Sequence, residues 1–359
     1  MTSEFISKKK SCPFLSIIIF SVIILILGAI LLYRLDWFDS PPSPNDELTH
    51  PFPTAMMKDD QILKGSYLLG LGNLAGPEDI VYDSKSKIIY TGCSDGWIKR
   101  VTVTESVGDT VVENWVNTTG RPLGLALGLG GEVIVADAYK GLLKISRDGA
   151  ITVLTHEAEG LKFKLTDGVD IAKNGKIYFT DASYKYNLTQ FLVDLLEQKP
   201  HGRLLCYDPS TKTTRVLLRD LYFANGIALS PDQDYLVFCE TPKKRCGKYY
   251  IEGKKKGSIE HFFRLPGYPD NIHYNGRGHF WVAAAMEIGD QKYIGGMDSD
   301  MGGVFVVNLE GKLINHYHDA SLMLISSAVK INNYLYCGSI VYPYIIRLDL
   351  AQNPAYSSA

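Results

Sequence analysis

From about residue 65 onward the chain is written in short apolar runs rather than in long amphipathic ones. Runs rich in Val, Ile and Tyr at 87–90, 132–136, 176–180, 235–239, 280–284 and 334–337 are bounded by Gly, Asp and Asn. Their length and β-branched, aromatic character predict strands of about four to six residues closed by turns. Helical periodicity is sustained only at 188–197, which reads as a helical insertion. About eight residues before most runs stands an opening phrase that recurs along the chain. Its copies are Pro77-Glu78-Asp79-Ile80, Pro122-Leu123-Gly124-Leu125, Thr166-Asp167-Gly168-Val169, Ala224-Asn225-Gly226-Ile227 and Pro269-Asp270-Asn271-Ile272, with a looser Ile325-Ser326-Ser327-Ala328.

Positions 78, 123, 167, 225, 270 and 326 recur at intervals of roughly 45 residues or a little more, the length of a four-stranded propeller blade. Six copies predict an all-β, six-bladed β-propeller. An open β-sandwich gives no reason for this register, and an α/β sheet needs helices that the short turns exclude. After Ser326 only about three strands remain, so the segment around 67–71 is expected to supply the missing outer strand.

The N-terminal region breaks the pattern. Residues 14–33 carry no charge and are dominated by Ile and Leu, and Lys8, Lys9 and Lys10 precede them. This predicts a transmembrane signal anchor with a cytosolic tail, a cleaved signal peptide being the competing reading. The expected organisation is a tail at 1–13, a membrane helix at 14–33, a Pro-rich stalk at 34–64, the propeller at 65–350 and a tail at 351–359. A type II protein of the secretory pathway follows, with its body in the endoplasmic reticulum, vacuole or outside the cell. The sequons at Asn117 and Asn187 agree with that location. The formal net charge of -2 gives no reason to expect a nucleic-acid partner. Of six cysteines, Cys239 and Cys246 are spaced for a local hairpin disulfide, and no CxxC pair suggests zinc.

Chemistry concentrates at the recurring position, because the inner strand of every blade lines the axis. Glu78, Asp167, Asn225 and Asp270, with Asn271 beside it, would bring three carboxylates and two amides together. Such carboxylates repel unless a cation balances them, and an all-oxygen, net-negative set selects Ca²⁺. The competing reading is local: Asp-Gly and Asn-Gly are common turn pairs that brace their own backbone. Asp170 lies off register and reads as structural. His273 could face the channel as a base, and His316 and His318 share one strand face. Tyr184, Tyr186, Trp281 and Met286 could line an apolar pocket. Lys243-Lys244-Arg245 and the lysines at 254–256 read as a solvated surface, and no GxSxG elbow is present.

The phrases Gly120-Arg-Pro-Leu-Gly124, Leu165-Thr-Asp-Gly-Val-Asp-Ile171, Asn225-Gly-Ile-Ala-Leu-Ser230 and Leu265-Pro-Gly-Tyr-Pro-Asp-Asn-Ile272 resemble those of plant strictosidine-synthase-like proteins. That family is similar to adipocyte plasma membrane-associated protein and, more distantly, to paraoxonases and gluconolactonases. The resemblance implies a six-bladed propeller and carries calcium ligands over to Glu78, Asp167 in place of the usual Asn, Asn225, Asp270 and Asn271. Leu123 and Ala138 stand where a paraoxonase-like pair of histidines is expected. Ser326 stands at or beside the glutamate that strictosidine synthesis requires, and serine is no substitute for that base.

The resulting expectation is a Ca²⁺-dependent hydrolase of a small apolar ester or lactone, with Asp270 as the catalytic carboxylate. A condensing enzyme or lyase acting on a specialised metabolite, and a non-enzymatic propeller that binds a lipid or protein, are the alternatives.

Overall fold

The computed structural model describes residues 22–28, 66–285, 302–317, 322, 324–353 and 356–357. The chain divides into two compact units, Met1–Ser43 and Pro44–Ala359, and the second contains the β-structure. Six antiparallel sheets of at least four strands form its blades. The first comprises Ile80–Asp83, Ile88–Gly92, Trp97–Thr102 and Val112–Asn117. The inner strands of the next four are Pro122–Leu127, Thr166–Ile171, Ala224–Leu229 and Tyr268–Tyr274. The sixth sheet joins the two ends of this unit: Ser327–Ile331, Tyr334–Gly338 and Ile345–Asp349 are completed by Ser66–Leu69, which pairs Ser66 with Leu348. The outer strand expected around 67–71 is therefore found, and it covers a sheet edge that would otherwise be open.

The apolar core is split into wedges between neighbouring blades. Leu125, Val133 and Val135 pack with Ile98 and Val116 between the first and second blades, while Ile331, Tyr336 and Ile345 pack with Ile80 and Ile89 between the sixth and first. Middle strands are consequently buried on both faces, as Val133–Asp137 is along its whole length, whereas the outermost Ile151–Thr155 is mostly exposed. Each fully buried aliphatic side chain contributes roughly 1.5 to 3 kcal/mol. With apolar residues committed to the wedges, the axis is left to the inner-strand residues. Cys239 and Cys246 pair directly across two adjacent strands and form the expected disulfide.

The membrane helix expected over 14–33 is a correction. Among the described residues no helix is long and apolar enough to cross a membrane. The helical residues described there are 22–28; at 1.5 Å per residue they span about 10 Å of the roughly 30 Å required. The rest of that segment, and the proposed stalk at 34–64, lie outside the described residues. The type II topology, the membrane as a partner and the secretory location that rested on the span are not supported.

Candidate functional site

The recurring position coincides with a defect in the β-ladder. In the second to fifth blades, register shifts fall between Pro122 and Leu125, Thr166 and Val169, Ala224 and Ile227, and Pro269 and Ile272. Each shift releases two residues from regular pairing, and a bulge re-aims a side chain out of the sheet's alternation. Leu123, Asp167, Asn225 and Asp270 occupy these bulges. Glu78 and Ser326 stand just before the inner strands of the first and sixth blades.

The glycines that follow are explained by the neighbouring blade. A Cβ on Gly124 would lie 2.3 Å from the Asp167 carbonyl oxygen, one on Gly168 would lie 2.7 Å from that of Asn225, and one on Gly226 would lie 2.3 Å from that of Asp270. The Asp-Gly and Asn-Gly pairs are thus points of close approach between inner strands, not turns. In the fifth phrase the same place holds Asn271, whose backbone N–H donates to the Ser326 carbonyl at 3.0 Å.

The side chains of the set interact across the axis. Asn271 Nδ2 donates to Glu78 Oε1 at 2.7 Å, joining the fifth blade to the first. Asn225 hydrogen-bonds Asp270 and lowers its proton affinity. Glu78, Asp167, Asn225 and Asn271 are buried, whereas Asp270 is only partly so. Burial, followed by the charges of Asp270 and Asp79, pushes the Glu78 carboxyl well above the usual range; Arg121 and the Asn271 hydrogen bond pull the other way. Burial and then Glu78 raise Asp167, and burial and then Asp167 raise Asp270. Glu78 Oε2 and Asn225 Oδ1 are buried without a hydrogen-bond partner in the protein, an arrangement that costs about 1–3 kcal/mol per group.

Among the described residues no group of three or more His, Cys, Asp and Glu side chains is gathered to hold a metal. The donors are instead a mixture of carboxylates and amides. Their chemistry fits a hard cation: every donor is oxygen, and two buried oxygens lack a proton donor. Arg121, which the sequence reading passed over, is buried and donates to the carbonyls of Gly76 and Gly92 at 3.0 and 3.3 Å.

A second polar group lies along the same strands. His273 Nε2 is 2.8 Å from Asp79 Oδ1 and 3.2 Å from Ser327 Oγ, and Ser327 Oγ donates to the same carboxylate oxygen at 2.7 Å. Burial opposes the charge on each partner, but mutual attraction outweighs it, lowering Asp79 and raising His273. Sequence reasoning raised His273 but not Asp79, which was hidden beside Glu78. Asp79 Oδ2 also accepts the Leu125 N–H at 2.9 Å, and Asp170 Oδ2 the Leu229 N–H at 2.8 Å, so both aspartates tie neighbouring blades.

The surroundings of Leu123 are apolar. Leu123, Ala138, Leu165, Ala182 and Phe223 form one cluster, against which Leu188, Phe191 and Leu195 of the insertion pack. The expected helix is a 3-10 turn, Leu188–Gln190, followed by Phe191–Glu197. Its inward side is mixed rather than apolar: Asp194 and Glu197 are 2% and 0% exposed, whereas Leu192 and Leu196 are 60% and 67% exposed. The acids are held inward by Lys185 Nζ at 2.7 Å from Glu197 Oε1 and by His201 Nδ1 at 3.3 Å from Asp194 Oδ1.

Other candidates have structural partners. Tyr184 and Tyr186 meet the His201 ring edge-on, and Trp281 stacks on Tyr317, so these three do not form one pocket wall; Met286 lies outside the described residues. His316 stacks on Phe305 and contacts the Gly302 carbonyl, and His318 lies outside the described residues. Ser326 Oγ donates to the Glu78 carbonyl at 2.6 Å. Lys243 and Lys244 cover the rings of Tyr222 and Tyr268.

Comparison with known proteins agrees with this architecture. Residues 167–254 match the strictosidine synthase family and residues 58–101 the strictosidine synthase-like N-terminal region. Protein strictosidine synthase-like 6 of Arabidopsis thaliana is 53% identical, the alignment covering 94% of this chain and 96% of that protein. Adipocyte plasma membrane-associated protein of Mus musculus is 31% identical over 92% of this chain and 88% of its own. A gluconolactonase from Xanthomonas campestris superposes with a TM-score of 0.60 at 18% identity, covering 80% of this chain and 90% of that one. The calcium-binding protein regucalcin from Agrobacterium tumefaciens gives 0.58 at 14% identity, covering 86% and 96%. At such identities the solved structures speak for the fold alone. The full-length identity to the plant proteins decides the family: the chain belongs to the strictosidine-synthase-like proteins.

Proposed function

We propose that the chain is a Ca²⁺-dependent hydrolase of a small apolar ester or lactone. The observation that carries this reading is the pair of buried, unpartnered oxygens, Glu78 Oε2 and Asn225 Oδ1, within a set of mutually repelling carboxyls. Glu78, Asp167, Asn225, Asp270 and Asn271 would hold the ion. When bound, Ca²⁺ would polarise the scissile carbonyl and offset the charge that develops on its oxygen.

The protein's own residues divide the remaining work. Asn271 fixes one Glu78 oxygen and leaves the other free. Asp270, less buried than the other four, would be the carboxylate that meets the substrate and would orient the attacking water or take its proton. The apolar cluster around Leu123 and Phe191 would exclude water from one side and favour an apolar substituent. Ser326, committed to the Glu78 carbonyl, supplies no base for a condensation.

The test combines calcium calorimetry with hydrolysis of phenyl acetate and a γ-lactone. Calcium binding with hydrolysis that EDTA and Asp270→Asn both abolish is expected. Binding without hydrolysis of either probe would remove the hydrolase, and no binding would remove the ion site.

A further inference from the structure

Arg121 is 4% exposed, and its guanidinium bonds to carbonyls rather than to a carboxylate: Nη2 donates to Gly76 at 3.0 Å and Nη1 to Gly92 at 3.3 Å. The Gly92 carbonyl also accepts the Glu78 N–H at 2.9 Å. One oxygen atom therefore stands between the guanidinium and the backbone of Glu78, and Gly76 lies two residues before it. Both carbonyls are fixed by close packing, since a Cβ on Gly76 would lie 2.5 Å from the Ile340 carbonyl oxygen and one on Gly92 2.5 Å from that of Pro122. A neutral amide is enough to serve a carbonyl. Burying a cation is unfavourable unless nearby anions offset the loss of hydration.

Those anions are the carboxylates of the proposed cation site, because the other charges around it are matched elsewhere. Lys99 pairs with Asp95 at 2.9 Å, Arg203 with Asp181 at 2.6 Å, and His273 Nε2 lies 2.8 Å from Asp79. Asp137 accepts the backbone N–H groups of Arg121, Tyr139 and Lys140 and the Thr118 hydroxyl. Among the described residues, Glu78, Asp167 and Asp270 have no cationic side chain at ion-pair distance. Burial opposes the charge on Arg121, and Glu78 is the foremost of the charges that favour it; Arg121 in turn favours ionised Glu78 and Asp167 against their burial. In the metal-free protein burial keeps protons on these carboxyls, and a metal ion displaces protons from the ligands it binds. Once loaded, three carboxylates and one guanidinium leave two negative charges around the ion, which a divalent cation cancels.

We infer that Arg121 is a specificity-determining residue of the proposed cation site: its guanidinium, held one carbonyl away from Glu78, matches the ligand set to a divalent ion and disfavours a trivalent one. This rests on the calcium site proposed above and concerns the charge which that site accepts.

The test is calorimetry of CaCl₂ and LaCl₃ on the full chain, La³⁺ being close to Ca²⁺ in size and one charge higher. In Arg121→Gln, affinity for La³⁺ relative to Ca²⁺ should rise at least about tenfold over wild type, the weight of one unit charge on another at about 10 Å and an effective dielectric constant of about 20. Arg121→Lys keeps the charge and loses the two-pronged clamp, and should hold the wild-type ratio. Where Arg121→Gln fails to fold, the substitution is made in Asp167→Asn, which removes one repelling charge and keeps an oxygen donor; the double variant should again exceed Asp167→Asn about tenfold in the ratio. A guanidinium that only clamps two carbonyls would change both affinities together and leave every ratio alone. An unchanged ratio on loss of the charge, or an equal rise in Arg121→Lys, would overturn the inference while wild-type calcium binding stands. Absence of calcium binding to the wild-type protein would remove the site itself and the inference with it.

Discussion

Asn271 donates its amide N–H to Glu78 Oε1 across 2.7 Å, and this bond between the fifth and first blades leaves Glu78 Oε2 buried with no protein partner. The amide therefore acts as a positioning group that leaves one carboxylate oxygen for a cation. Glu78→Gln keeps the shape and removes the charge. Calcium affinity measured by calorimetry should fall at least about tenfold, equivalent to about 1.4 kcal/mol. An unchanged affinity would exclude Glu78 as a ligand.

The raised proton affinities of Glu78, Asp167 and Asp270 set a pH dependence in the metal-free protein. The folded state holds protons that the unfolded chain has released, so their contribution is fully present below the ordinary carboxyl values and is lost as pH rises through the raised ones. In EDTA, thermal stability from these groups should decline as pH climbs above the ordinary carboxylate range. Saturating Ca²⁺ should flatten that decline, which melting curves across pH with and without the ion would detect.

Gly226 has no space for a side chain, since a Cβ would lie 2.3 Å from the Asp270 carbonyl oxygen and 2.8 Å from Asn271 Cα. Both contacts are with backbone. Gly226→Ala should destabilise by about 1 to 3 kcal/mol and displace the strand that carries Asp270 and Asn271. Urea melts would register the first effect and calcium calorimetry the second.

Lys185 is the basic partner of a fully buried carboxylate, with Nζ 2.7 Å from Glu197 Oε1. Lys185→Met leaves the buried Glu197 carboxylate with reduced compensation, at a cost of about 2 to 3 kcal/mol, below the full buried-pair value because the lysine is partly solvated. The insertion should loosen before the blades do. Hydrogen exchange is expected to accelerate across 185–201 while remaining unchanged in Val133–Asp137; uniform acceleration would contradict this.

The blades were legible because strand-forming runs follow one repeated phrase, and the register led to Glu78, Asp167, Asn225, Asp270 and Asn271. The phrase could not reveal why glycine follows Asp167 and Asn225, since the crowding atoms belong to the next blade, tens of residues away. The same distance hid Asp79, which meets His273 and Ser327 only after the ring closes. The helix at 188–197 was visible from its composition, but its orientation was not: the half-buried Lys185 and the buried His201 that turn Glu197 and Asp194 inward lie outside it. The apolar segment at 14–33 was read as a membrane helix from composition alone, and no helix described in the structure has the necessary length.

Ser66–Leu69 emerges from the ribosome before any blade, yet its partner Ile345–Asp349 is made after nearly all of them. At about 5–20 residues per second, the first strand waits tens of seconds with its hydrogen-bonding edge open. During synthesis the unfinished ring is therefore an unpaired template at both ends, and chaperone demand should peak just before the last strand is released. Nascent chains stalled before residue 345 should capture holdase chaperones that completed chains no longer bind.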